Sequence, residues 1–159
     1  MRTQRSKDEL RKASDHLNYE IWMLDCMATA LALGLAGDGR MKNSFLESFV
    51  IHARALLQFL YAEAPRADDV IAEDFFEDPL GWHTSRPAMT PLLSTVRRRV
   101  GKEAAHLTYA RQAVNPDDKP WEFLSIARDL QQVVESFLRI APQDLLGPRW
   151  GAAPNQPKA

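Results

Sequence analysis

Arg99 and His106 stand seven residues apart in RRVGKEAAH, a spacing that puts both on one helical face, two turns from each other. An arginine can hold a phosphate while an imidazole exchanges protons near neutral pH, so this pair suits general acid/base chemistry at a phosphodiester. Arg97, Arg98 and Lys102 would add attraction for phosphate, although they point in different directions around the helix and serve equally well as a solvated face. Glu103 shares the stripe of Arg99 and His106, and Glu103-Ala104-Ala105-His106 has the Glu-x-x-His spacing of metal-carrying bundles. A di-metal centre needs a second copy of that spacing, which the chain lacks. A single metal held by His52, Glu103 and His106 is the form such a site would take. The expectation adopted is that no metal and no cofactor is needed.

Arg111 falls inside the apolar line of Val100, Ala104 and Leu107. Burying an ionised group without a partner is costly, so Arg111 must meet an acid or open onto a cavity. Candidate partners are His52, Glu20 with His16 one turn before it, and the acids crowded between Asp68 and Asp78. The expectation is a polar centre of His52, Glu103, His106 and Arg111, closed by the acidic segment. The competing reading is a network that only fixes conformation.

Four helices must position these groups. Ser6 and Glu9 form a capping box ahead of a seam of Leu10, Ser14, Leu17, Ile21, Leu24, Ala28, Leu31 and Leu35. Tyr19, Trp22 and Cys26 lie on another side of that helix, to be wrapped by protein or by a second subunit, with Cys26 as inert packing. Gly34, Gly37 and Gly39 stop it. The run Ser44–Ala64 predicts a second helix, apolar nearly all round and hence buried, with Glu47, Arg54 and Gln58 as a narrow polar edge and His52 facing another helix. Residues 65–90 predict a short helix capped by Asp68 or Asp69, then an irregular passage that is either a lid or a cover for one end of the core. Cover is the preferred reading. Thr90-Pro91 starts a third helix running to about Val114, and a fourth carries Phe123, Ala127, Leu130, Val134 and Phe137. The fold class expected is all-α, an antiparallel four-helix bundle with a long, partly helical connection between helices 2 and 3. Residues 1–141 form its single domain, and the Pro/Gly/Ala-rich stretch 142–159 is a disordered tail.

The chain of 159 residues carries a net charge of −1, which argues against a surface tuned as a whole for nucleic acid but leaves room for a local basic patch. One cysteine rules out an internal disulfide framework and fits a reducing compartment. No apolar leader opens the chain, so a cytoplasmic protein without a membrane partner is expected.

His52-Ala53-Arg54 with Leu56 and Phe59, Asp68-Asp69-Val70 with Ala72 and Asp74-Phe75, and His106-Leu107-Thr108 with Arg111 resemble, in that order, a group of small bacterial proteins of no assigned activity. The arrangement is similar to the HEPN class of helical bundles found in toxin-type ribonucleases and defence systems. There an Arg and a His sit on one helix with four to six residues between them, and two subunits bring their copies together. The resemblance implies Arg99 and His106 as a catalytic pair, and the candidate binding residues are His52, Arg54, Asp68, Asp69, Glu103 and Arg111. It also implies RNA as the ligand class and a homodimer as the assembly. Six residues intervene here, and Val100 follows the arginine where the class carries a polar residue. The opposing expectation is a non-catalytic dimeric bundle, joined through the Tyr19–Trp22–Cys26 flank and the small-residue stripe of the second helix.

Overall fold

The computed structural model of the protein describes residues 4–78, 80–100 and 121–151. Among them the fold is all-α, with five helices and three short 3-10 turns and no strand. The helices are α1 (Lys7–Ala32), α2 (Arg40–Leu60), α3 (Leu80–Ser85), α4 (Pro91–Arg99) and α5 (Phe123–Ile140).

Helix α1 begins where the capping box places it. The Glu9 amide donates to Ser6 Oγ at 3.3 Å, and the Ser6 amide donates to Glu9 Oε2 at 2.8 Å. Its far end closes on Gly34, whose φ of 69° lets Leu35 N reach back to Ala30 O at 2.8 Å and Gly34 N to Leu31 O at 3.3 Å. This pair of backward bonds satisfies carbonyls that the helix leaves open, and only glycine adopts the required left-handed turn without strain. The chain then returns as α2, which packs beside α1. Leu10, Leu17, Leu24, Ala28 and Leu31 of α1 are buried, as are Phe49, Val50, Ala53, Leu56, Leu57 and Leu60 of α2. Helix α2 is not enclosed on all sides, however. Met41 and Ile51 are 60% and 63% exposed, because α2 packs on α1, α4 and α5 along one arc and meets solvent on the rest.

The 65–90 connection covers the core. Its helical content differs from expectation: a 3-10 turn occupies Ala72–Phe75, with Asp74 Oδ2 accepting from Ile71 N, and α3 follows from Leu80. Asp78 starts α3 by accepting from Leu80 N at 2.9 Å. Phe137 of α5 lies at the centre of the cover, its ring 5.1 Å from Phe59, 5.3 Å from Phe75 and 5.6 Å from Trp82, all edge-on. Trp82 is fully buried, and its Nε1 donates to Leu60 O at 2.9 Å, which gives the last turn of α2 a partner for an open carbonyl.

Helix α4 starts at the expected Thr90-Pro91 cap. Thr90 Oγ1 accepts from Leu93 N and also donates to Asp129 Oδ2 at 3.0 Å, so one hydroxyl both caps α4 and fixes it to α5.

The stretch after Pro142 corrects the expectation of a disordered tail over its described part. Two 3-10 turns, Gln143–Leu145 and Pro148–Trp150, lie along the first half of α1. Gly147 N donates to the buried Ser14 Oγ at 2.7 Å, Arg149 N to Asp15 Oδ1 at 3.0 Å and Trp150 Nε1 to Ser14 O at 2.9 Å. Leu146 is buried between them. A Pro-, Gly- and Ala-rich composition argues for disorder, but three directed hydrogen bonds and the apolar anchors Leu146 and Trp150 hold residues 142–151. Residues 152–159 lie outside the described residues.

Candidate nucleic-acid interface

The last turn of α4 carries three consecutive arginines, and the fold gives each a different setting. Arg99 is half-buried, with its guanidinium carbon 3.9 Å from the centroid of the Trp121 ring. A cation so close to an indole face gains about 0.5–2 kcal/mol depending on its desolvation. Trp121 is itself held, edge-on to Phe49 at 6.3 Å, and Phe49 meets Phe123 edge-on at 5.2 Å. The ring beneath Arg99 is therefore held by packed aromatics rooted in α2 and α5. Arg98 is exposed. Arg97 turns towards the end of α2, where its Nη1 lies 3.0 Å from Glu63 Oε1.

Arg97 and Val100 line one wall of a cleft of about 360 Å³, and the last turns of α2 line the other with Arg54, Leu57, Gln58 and Tyr61. Glu63 and the turn through Pro65 close its end. Arg54 is exposed, and among the described residues its side chain makes no ion pair or hydrogen bond. Tyr61 is buried, with its hydroxyl donating to Pro87 O at 3.1 Å, and burial raises its pKa while Arg86 opposes the rise.

His52 is buried and does face another helix, as its place on α2 predicts. Its Nδ1 lies 2.6 Å from Glu20 Oε2 of α1, and the Tyr19 ring meets the imidazole edge-on at 5.9 Å. Glu20 and His52, both candidate partners of the third helix, thus pair with each other. Of the other proposed binding residues, Asp68 is exposed, and Asp69 Oδ2 accepts from Arg66 N at 2.8 Å in the turn after α2. Glu103, His106 and Arg111, with the polar centre built on them, lie outside the described residues. Among the described residues no three His, Cys, Asp or Glu side chains converge as metal ligands. No described helix is long and apolar enough to cross a membrane.

Compared with protein-family models, with curated proteins and with solved structures, the chain matches none.

Two arrangements escaped the sequence. The first is the cleft itself, because the convergence of Arg54 and Arg97 depends on how α4 crosses the end of α2. The second is an inner ion pair in the connection. Arg86 Nη1 lies 3.8 Å from Glu73 Oε1, and the guanidinium carbon is 5.3 Å from the Tyr61 ring centroid. Glu73 Oε2 is buried without a hydrogen bond. Desolvation raises the Glu73 pKa above the ordinary carboxylate value, an effect that Arg86 only partly opposes. Its place among five other acids hid Glu73, since a local count of charge does not show which one turns inward. On the Tyr19–Trp22–Cys26 flank, Tyr19 and Trp22 are 39% and 51% exposed, and Cys26 departs from expectation in being exposed rather than packed. Among the described residues nothing encloses Trp22 and Cys26 on that side of α1.

Proposed function

We propose that the protein is a HEPN-like, nucleic-acid-associated bundle that cleaves RNA without a metal ion, as a toxin or defence component of a bacterial cytoplasm. In this reading the helices form an antiparallel four-helix bundle with a long second connection, and two copies pair. Arg99 holds the scissile phosphate and offsets the charge that builds on it. His106 takes the proton of the attacking 2′-hydroxyl; the new P–O2′ bond forms as the P–O5′ bond breaks, and the proton passes to the departing 5′ oxygen. The observation that carries the proposal is the seating of Arg99 on Trp121, with Arg97 and Arg98 beside it. An arginine already fixed by an aromatic face loses less side-chain freedom when it grips a phosphate. The test is cleavage of a labelled single-stranded RNA in excess chelator. Cleavage should persist there and vanish in Arg99→Ala and in His106→Ala, with thermal unfolding of both variants still cooperative. Undiminished cleavage by both variants would refute it.

The exposed Tyr19–Trp22 flank favours a second reading, a non-catalytic bundle that pairs with a second copy through α1. It requires that Trp22→Glu turn a dimer into a monomer in sedimentation, with no RNA cleavage by either species.

A further inference from the structure

We infer that the cleft between the end of α2 and α4 receives one 5′-phosphorylated nucleotide unit, with its phosphate between Arg54 and Arg97 and with Glu63 as the group it displaces. The identity of the ligand as a nucleotide rests on the RNA reading above; the anion site itself rests on the cleft.

Three features converge. The first is size. At about 360 Å³ the cleft stands near the low end of small-ligand pockets, roughly 300–1,000 Å³, which suits one nucleotide and excludes a duplex. The second is charge. Among the described residues Arg54 reaches the cleft without a partner and Arg97 is engaged by Glu63 alone, whose side chain is 74% exposed. An ion pair that open to water contributes at most about 1 kcal/mol. A phosphate shared by two guanidinium groups accepts several charge-assisted hydrogen bonds and wins that competition. The third is the apolar wall. Leu57 and Val100 are buried beneath the cleft, and the Tyr61 ring is locked by its bond to Pro87, so a base would meet a preformed surface. Glu63 thereby becomes a specificity element: it neutralises Arg97 in the empty cleft and yields only to a ligand of stronger negative charge.

The experiment is titration of the intact protein at low salt with adenosine 5′-monophosphate, adenosine, inorganic phosphate, and a short RNA with either a 5′-phosphate or a 5′-hydroxyl. Adenosine 5′-monophosphate should bind at least about ten-fold more tightly than adenosine, as expected when charge-assisted bonds are lost. Arg54→Ala should weaken it by a similar factor, whereas Glu63→Gln should tighten it several-fold. Arg128→Ala, which removes a positive charge on α5 away from the cleft lining, should change nothing. The 5′-phosphorylated RNA binding more tightly than the mononucleotide assigns the site to strand ends; equal binding assigns it to the free nucleotide. Equal binding of adenosine, equal binding of inorganic phosphate, or weaker binding in Glu63→Gln overturns the inference. Arg54 and Glu63 are exposed, so both variants should keep the wild-type melting temperature. RNA cleavage without nucleotide binding would sink this inference alone, and nucleotide binding without cleavage would sink the ribonuclease reading alone.

Discussion

Nδ1 of His52 and Oε2 of Glu20 lie 2.6 Å apart, a bond between the middles of α1 and α2 that is shielded by the Tyr19 ring. It joins those helices through a buried imidazole, and it makes a polar position part of the core.

Removing one partner leaves the other without a bond in a desolvated site. Glu20→Ala should therefore lower the unfolding free energy by about 1–3 kcal/mol in urea denaturation. Replacing both residues by apolar ones of similar volume should recover much of that loss. A single Glu20→Ala as stable as the parent would show the bond to be incidental.

The docked tail depends on Gly147. A Cβ there would lie 2.3 Å from Asp15 Oδ1 and 2.6 Å from the Arg11 carbonyl, and the backbone atom cannot step aside. Gly147→Ala should release the segment from α1. We expect faster proteolytic cutting between Pro142 and Trp150 and a loss of about 1–3 kcal/mol, in the range for a broken buried network. Unchanged protection would place the tail elsewhere.

Glu73 sets a pH dependence. Its pKa in the folded protein is raised by burial, so the native state binds the proton more tightly than the unfolded chain. The stabilisation is fully present below the ordinary value of 4.5 and is lost as pH rises through the raised folded value. The melting temperature of Glu73→Gln relative to wild type should therefore climb from acid towards neutral pH. A difference that is flat, or that falls with rising pH, would contradict this account.

Trp121 should matter to RNA more than to folding. Trp121→Leu keeps apolar contact with Phe49 but removes the π face beneath Arg99. Affinity for single-stranded RNA should fall several-fold, in line with about 0.5–2 kcal/mol for the contact. Equal affinity at equal salt would mean that Arg99 is positioned by other groups.

Much of this architecture was legible in the chain. Leu10, Leu17, Leu24, Ala28 and Leu31 recur at helical spacing because one face must be dry, and those residues are buried. Caps were legible for the same kind of reason: Ser6 with Glu9, and Thr90 before Pro91, satisfy amides within three residues of themselves. Ser14 marks the boundary of that legibility. Its place in the seam was visible, but its purpose was not, because its partner Gly147 is 133 residues away. Arg86 with Glu73, and Arg54 with Arg97, were invisible on the same grounds. Each pair joins residues on separate segments, and periodicity within one segment carries no information about which segments meet.

Cys26 is the chain's single thiol, and it is exposed one turn beyond Trp22 on the uncovered side of α1. The molecule thus carries its own attachment point for a thiol-reactive probe, on a rigid element and beside a natural fluorophore. A nitroxide fixed there would read the separation between two copies: short if they meet through α1, long if they meet through any other face.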